Sequence, residues 1–311
     1  MSKGRPFRFG VQIEDASSAS EWVAKARRAE ELGYSVLTIA DHFEDQFSPI
    51  PALMMAAAGT EKLRLGTFVL GNDFRHPTSV DKEAATLDLL SGGRFELGIG
   101  AGWMPNDYAR TGISFDPHPV RLARLEEAVH IIKGLLAGET VNFKGRYYSV
   151  SGLATDPKPV QRPRPPILIG GGGKNLLSLA AREADIVGLN LRVSKDGKLD
   201  YKSLSAEATE EKILWIHEAA GSRLDELELN IYVQFVLSTA ELEQAAEERH
   251  ANEPEITPDL LMRSPHALLG TVEEMVEQLE ARRARYGTSY ITVQEHNMER
   301  LAPIVARLAG K

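Results

Sequence analysis

One stretch decides the fold: residues 36–43, which read VLTIADHF. Its first four residues are apolar or β-branched and are typical of a buried parallel strand. An acid and an imidazole, Asp41 and His42, follow where that strand should end. In a barrel of parallel strands, this end carries the active site. An isolated Asp-His pair is also compatible with a helix cap or a salt bridge. The pattern of the surrounding chain is therefore needed to distinguish these structural roles from a role in an active site.

Strand-like segments recur along the chain and alternate with helical patterns. We predict strands at residues 7–13, 36–39, 63–70, 94–99, 166–170, 185–189, 229–237 and 289–293. We predict helices at residues 21–32 (with Ser20 as the N-cap), 51–60, 77–91, 120–136, 176–183, 206–220, 240–248, 272–286 and 301–308. Eight alternating strands and helices predict a (β/α)8 TIM barrel that forms a single domain over residues 1–311. A doubly wound open sheet is the alternative fold.

Three segments interrupt this alternation. Residues 141–150 alternate aromatic and polar side chains around Lys144 and Gly145, which predicts a small hairpin. The proline-rich residues 157–166 predict an extended connector rather than a flexible linker. Residues 192–202 are polar and charged, and they predict a mobile excursion on the strand-end face of the barrel.

Composition excludes several classes of function. A formal net charge of -8 and a pI near 5.6 argue against a general nucleic-acid or anionic-membrane binder, since both need a clustered basic surface. The chain has no cysteine, and therefore no disulfide, thiolate metal site or cysteine nucleophile. The N-terminus does not read as a signal peptide, and the apolar run 52–58 is too short to span a bilayer. We expect a cytoplasmic protein.

Two glycine-rich segments invite comparison with nucleotide-binding motifs. The first, residues 98–103, carries Trp103 where a dinucleotide fingerprint needs its third glycine, and no helix is predicted to begin there. The second, residues 170–175, lacks the leading glycine and the Ser/Thr of a Walker loop. What remains is four glycines before a helix, where the backbone N–H groups of Gly171, Gly172 and Gly173 can hold a phosphate. The alternative is a tight turn that lets the helix pack closely.

Histidines are scattered, and only some of them lie where a strand should end. His42 follows the predicted second strand, and His296 follows the predicted eighth strand. Arg75 and His76 follow the third strand and could equally anchor a loop. The chain contains no His-Glu-x-x-His, Gly-x-Ser-x-Gly or paired metal-ligand spacing, so no metal site is predicted.

Several motifs, in this order, resemble one family: the luciferase-like flavin monooxygenases and the coenzyme F420-dependent oxidoreductases that share their barrel. The motifs are ADHF at residues 40–43, LGTFV at 65–69, RHP at 75–77, GGRFELGIGAGW at 92–103, PKPVQ at 157–161 and PILIGG at 166–171. The resemblance covers most of the chain.

The resemblance implies a cofactor and the residues that bind it. Asp41 is similar to the acid that contacts the deazaflavin ring, and His42 to the histidine beside the face where hydride transfer occurs. Gly171, Gly172 and Gly173 match the loop whose backbone holds the cofactor phosphate. Phe68-Val69 matches the bulge behind the central ring, which in this family contains a non-prolyl cis peptide.

One departure from the family pattern concerns the substrate. The sugar-phosphate dehydrogenases of the family place a glutamate directly after Gly-x-Gly, and this chain has Trp103 there. An aromatic wall favours an apolar or planar substrate, and Gln12 and Glu14 could supply polar contacts instead.

We therefore expect a homodimeric coenzyme F420-dependent oxidoreductase that acts on a small organic molecule, with His42 as the catalytic residue. An FMN-dependent monooxygenase supplied by a separate flavin reductase is the first alternative. A non-catalytic barrel that binds a flavin is the second.

Overall fold

Eight parallel strands close into a barrel in the computed structural model, which describes residues 4–194, 197–250 and 253–311. In chain order the barrel strands are β1 Arg8–Gln12, β2 Val36–Ile39, β3 Arg64–Thr67, β4 Phe95–Gly100, β5 Ile167–Gly171, β6 Ile186–Leu189, β7 Glu228–Val233 and β8 Thr288–Gln294. Each strand pairs with its neighbours in the chain, β8 pairs with β1, and β3 pairs with β4 to complete the circle. The TIM barrel is confirmed, and the open sheet is excluded.

Helices surround the barrel. They are α1 Ala19–Glu31, α2 Pro49–Gly59, α3 Pro77–Leu90, α4 Pro105–Thr111, α5 His118–Leu136, α6 Lys174–Glu183, α7 Ala206–Ala220, α8 Leu242–His250, α9 Pro258–Arg263, α10 Val272–Tyr286 and α11 Met298–Leu308. The main core lies between the strands and these helices, where outward side chains such as Phe9 and Leu37 pack with Trp22 of α1. No helix in the described ranges has the length and apolar character needed to cross a membrane. That the barrel is a single domain stays a prediction.

Some predicted boundaries were wrong. The N-cap of α1 is Ser18 rather than Ser20, because the Ser18 side chain accepts the backbone N–H of Glu21. The predicted third strand ends at Thr67 and resumes only at Leu70–Gly71, after a bulge. The predicted seventh strand ends at Val233, and Phe235–Leu237 instead pairs with Ala267–Leu269 outside the barrel. Helices α4 and α9 were not predicted.

The insertions mostly agree with the predictions from the sequence. The hairpin is present as strands Val141–Lys144 and Ser149–Leu153. The connector is tied to α3 by buried Asp88, whose carboxylate accepts the backbone N–H groups of Val160 and Gln161 at 2.7 and 3.0 Å. The excursion contains a short antiparallel pair, Arg192–Val193 with Leu199–Asp200; residues 195 and 196 lie outside the described part. Its mobility stays a prediction.

The amino-terminal end of the barrel is filled by charged side chains. Arg8 of β1 lies 2.5 Å from Glu96 of β4 and 2.6 Å from Glu228 of β7, and Arg64 of β3 reaches the same Glu96 at 2.5 Å. The Arg8 guanidinium also lies over the ring of Tyr290, 4.0 Å from its centroid. We call these four charged residues the barrel floor. It joins the first residues of three strands and the second residue of β4.

Candidate active site

The carboxyl ends of the strands form the mouth of the barrel, opposite the floor. Asp41 and His42 follow β2, the Phe68-Val69 bulge follows β3, and Trp103 follows β4. The glycine loop, defined here as Gly171, Gly172 and Gly173, begins at the last residue of β5 and leads into α6. Parallel strands thus bring the predicted site residues to one face although they are up to 132 residues apart in sequence (173 − 41).

His42 is held at the mouth by a partner that the sequence did not reveal. Its Nδ1 lies 2.7 Å from Oδ2 of Asp107 in α4. The other oxygen of Asp107 accepts the backbone N–H of Phe43 at 3.0 Å. The His42 side chain is 22% exposed and that of Asp107 only 3%, so the imidazole is accessible while its partner is buried. The ring of His42 meets that of Trp103 edge-on, with centroids 5.7 Å apart.

Asp41 lies beside His42 but faces the protein. Its carboxylate accepts two hydrogen bonds from the Arg75 guanidinium and one from the backbone N–H of Gly71, at 3.0 Å. The residue is buried. These contacts fix the segment that follows the bulge. The contact of Asp41 with a cofactor ring stays a prediction.

Arg75 and His76 have the structural roles that the sequence left open. Arg75 pairs with Asp41, and His76 is the N-cap of α3, where its Nδ1 accepts the backbone N–H of Thr78 at 3.3 Å. His296 is exposed and follows β8, where the amide nitrogen of Asn297 lies 3.0 Å from its Nε2. Of the histidines predicted at strand ends, His42 is the one whose ring meets that of Trp103 in the described structure.

The bulge after β3 has the predicted backbone. The Phe68-Val69 peptide bond is cis, and the N–H of Phe68 donates to the carbonyl of Ile39 at the end of β2. The Phe68 ring packs on Tyr232 of β7, with centroids 5.7 Å apart. Both residues of the bulge are partly exposed. Their contact with a cofactor stays a prediction.

Packing of the bulge explains the first glycine-rich segment. A Cβ at Gly98 would overlap the carbonyl of Thr67, and one at Gly100 would lie 2.7 Å from a methyl group of Val69. The Thr67 hydroxyl also bonds both the carbonyl and the N–H of Gly98, at 2.7 and 2.8 Å. These glycines let strand β4 approach the bulge, and no helix begins at that point.

The three residues of the glycine loop differ in their surroundings. A Cβ on Gly171 would overlap the Leu176 side chain, and one on Gly172 would overlap the backbone of Leu191. Close packing, the alternative interpretation of this loop, therefore explains why Gly171 and Gly172 are glycines. A Cβ on Gly173 would have no neighbour within 4 Å. Gly173 is the N-cap of α6, and no side chain caps that helix start, so its first N–H groups are open to an anion.

Basic side chains lie next to the glycine loop. Lys174 is the first residue of α6, and Arg192 follows β6, with its backbone nitrogen against Gly172. Both cations approach the ring of Trp215, at 6.0 and 5.3 Å from its centroid. Each also pairs with a glutamate of α7, Lys174 with Glu218 and Arg192 with Glu211. Each of these two cations thus has an acidic partner. In sequence, the cations lie closer to the glycine loop than their partners do.

A buried lysine supports this corner of the mouth. Lys212 of α7 donates to the carbonyls of Asn190 and Ser203, both at 2.8 Å. Burial, reinforced by the nearby Arg192 charge, lowers the pKa of Lys212 to about 7. The amine joins the two ends of the excursion and so fixes the backbone that packs on Gly172. In sequence it lies in an ordinary amphipathic helix, and nothing there marks it as buried.

In the described ranges, no three His, Asp or Glu side chains form a group able to hold a metal ion. His266, for example, is fully buried, and its Nδ1 lies 2.8 Å from the carbonyl oxygen of Tyr232. Burial lowers its pKa to about 3, so this imidazole is neutral and structural.

Comparison with known proteins agrees with this geometry. The profile described as luciferase-like monooxygenase matches residues 5–290. The chain belongs to the luciferase-like monooxygenase family. Among solved structures, the coenzyme F420-dependent tetrahydromethanopterin reductase from Methanopyrus kandleri shares the fold of this family member, with a TM-score of 0.79, 20% identity and 98% of each chain covered.

Sequence relatives of this luciferase-like chain include enzymes of two cofactor types. An F420-dependent glucose-6-phosphate dehydrogenase of Microbacterium testaceum is 34% identical over 189 residues, which are 58% of this chain and 55% of the relative. An FMNH2-dependent dimethylsulfone monooxygenase of Pseudomonas putida is 31% identical over 128 residues, 41% of this chain and 35% of the relative. The chain thus spans about half the length of the dehydrogenase and about a third of the monooxygenase.

Proposed function

We propose that this chain is a coenzyme F420-dependent oxidoreductase that acts on a small organic substrate. The observation that carries the proposal is the accessible imidazole of His42 at the mouth of the barrel, in a chain that is 34% identical over 189 residues to an F420-dependent dehydrogenase. When bound, the deazaflavin supplies the hydride chemistry. The protein binds it, excludes water and moves a proton.

The residues at the mouth fit such a cofactor. The open helix start at Gly173, flanked by Lys174 and Arg192, suits a phosphate. A Cβ on Gly170 would lie 3.7 Å from Val69, so the glycine loop and the bulge are adjacent and one elongated molecule can contact both. We assign Gly171, Gly172 and Gly173 to the phosphate, and Phe68, Val69 and Asp41 to the ring. His42 is the catalytic residue that exchanges a proton with the substrate.

Trp103 favours an apolar or planar substrate over a sugar phosphate. Its ring stands beside that of His42, so a substrate that reaches the imidazole also meets the indole. At the end of β1, the Gln12 amide donates a hydrogen bond to the Glu14 carboxylate at 2.6 Å. This pair supplies polar atoms on another side of the mouth.

The proposal includes a homodimer in the cytoplasm. Apolar side chains stay exposed on the outer helices, with Leu90 of α3 at 64% and Met55 of α2 at 39%. Such side chains suit contact with a second copy.

A turnover assay tests the function. We expect the protein to reduce oxidised F420 in the presence of an alcohol, followed as loss of the deazaflavin absorbance, with 2-propanol a better substrate than glucose 6-phosphate. Replacing His42 with Ala should lower turnover by about 10²-fold or more, while F420 affinity changes little. The proton relay is then lost and the phosphate contacts are kept.

Three results would contradict this proposal. Oxygen consumption with reduced FMN, and no reaction with F420, would favour the monooxygenase that the Pseudomonas putida relative represents. Normal turnover by H42A would remove His42 from the catalytic role. Binding of either flavin without any turnover would favour the non-catalytic barrel.

A further inference from the structure

Asp107 contacts the proposed catalytic histidine through a buried carboxylate. Oδ2 lies 2.7 Å from His42 Nδ1, and Oδ1 accepts the Phe43 backbone N–H at 3.0 Å. Both oxygens therefore serve the two residues that follow Asp41. A carboxylate that only fixed the loop after β2 would need only the hydrogen bond from the Phe43 backbone N–H. The Asp107 carboxylate also contacts the His42 imidazole.

The contact decides where the imidazole carries its proton. An ionised carboxylate can only accept hydrogen bonds, so Nδ1 of His42 must be the donor. In a neutral imidazole the lone pair is then on Nε2. Nε2 has no hydrogen-bond partner among the described residues, which leaves it free to take a proton from a bound molecule.

The carboxylate is mounted rigidly. Asp107 is in the first turn of α4, and its own carbonyl accepts the Thr111 hydroxyl at 2.7 Å. The loop before α4 is fixed by Arg121, which donates to the carbonyls of Ala101, at 3.0 Å, and Gly102. These contacts hold the start of α4 and the backbone of Asp107 in place.

We infer that Asp107 is a positioning residue that sets the His42 tautomer and so makes Nε2 the proton acceptor of the reaction. The inference rests on the proposed function for its consequence in turnover, but the tautomer itself is a property of the free protein. The logic matches that of serine proteases, in which replacing the aspartate that orients the histidine by asparagine lowers kcat by about 10⁴-fold.

Replacement of Asp107 with Asn gives a sharp test because Phe43 fixes the amide orientation. The Phe43 N–H is an obligatory donor, so the amide oxygen should face it. The amide NH2 then faces His42 Nδ1, which must become an acceptor, and the proton moves to Nε2. D107N should therefore reverse the tautomer with little change in shape.

Nitrogen-15 NMR of histidine-labelled protein measures the His42 tautomer directly. The spectra are recorded at about pH 9, where an ordinary imidazole is neutral. The His42 signals are assigned by their loss in H42A. We expect the Nδ1–H form in the wild type and the Nε2–H form in D107N. With F420 and 2-propanol, D107N should turn over at least 10²-fold more slowly, with F420 affinity changed less than about threefold.

Asp116→Asn is the matched control. Asp116 lies between α4 and α5, pairs with Arg124 of α5 and does not contact His42, so D116N should keep both the tautomer and the turnover. An Nε2–H wild type, or a D107N protein with unchanged tautomer, would overturn the inference. If D107N does not fold, the wild-type spectrum alone decides. If wild type shows the Nδ1–H form but no reaction with F420, the proposed function fails and the tautomer assignment stands.

Discussion

The three glycines of the glycine loop have different roles although they are indistinguishable in sequence. Gly171 and Gly172 are required by packing, because a side chain would overlap Leu176 or the Leu191 backbone. Gly173 faces open space at the start of α6, with φ -94° and ψ 149°, a conformation that β-branched residues adopt readily. Only at Gly173 can ligand binding be separated from folding.

Two substitutions separate these roles. Gly172→Ala should destabilise the fold by about 2 kcal/mol, because the added methyl group overlaps a backbone carbonyl. Gly173→Val should leave the free energy of unfolding within about 0.5 kcal/mol of wild type but weaken F420 binding at least roughly tenfold. Urea unfolding and fluorescence titration measure the two effects. Unchanged F420 affinity in G173V would remove the phosphate from this helix start.

Elements with strong end signals could be predicted from sequence to the residue. The bounds of α7 and α10 match the prediction, and both helices have side-chain N-caps, Ser205 and Thr271, the second within a capping box. Helices α4 and α9 have only 7 and 6 residues, too few for a periodic pattern to emerge. The break in the third strand could not be predicted from periodicity, because Thr67, Phe68 and Val69 at the break are all β-favouring residues. The family resemblance alone indicated a bulge at Phe68-Val69.

The same limit applies to the candidate site. His42 and the glycine loop could be predicted because their position after a strand places them at the mouth. Asp107 could not, since it lies 65 residues from His42 on a helix that the sequence did not reveal. Its only signal is an acid soon after Trp103, in a segment for which no strand or helix is predicted.

At the scale of the whole molecule, the barrel separates stability from function. The floor carries buried and half-buried charges that join four strands, and the mouth carries the candidate site. Burial opposes ionisation of Glu96, but Arg8 and Arg64 outweigh it and hold the pKa of this carboxyl below its ordinary value of 4.5. The ionised form thus stabilises the fold above about pH 4.5, and this contribution is lost as the pH falls through the lowered pKa.

Glu96→Gln should therefore lower the free energy of unfolding at pH 7 by about 3 kcal/mol, because it leaves two half-buried guanidinium groups with less compensation. Below about pH 4.5 the stability of E96Q should fall less steeply than that of wild type, since one depressed carboxyl is gone. Urea unfolding across pH measures both. Equal slopes, or an unchanged stability at pH 7, would show that the floor does not act as described.

The proposed preference of the mouth for a deazaflavin is tested most directly by titrating the purified apo-protein in parallel with oxidised coenzyme F420 and with FMN. Binding is followed by fluorescence under the same conditions. We predict that F420 binds at least tenfold more tightly than FMN, which corresponds to about 1.4 kcal/mol. Equal affinities, or tighter binding of FMN, would contradict a deazaflavin site at the mouth.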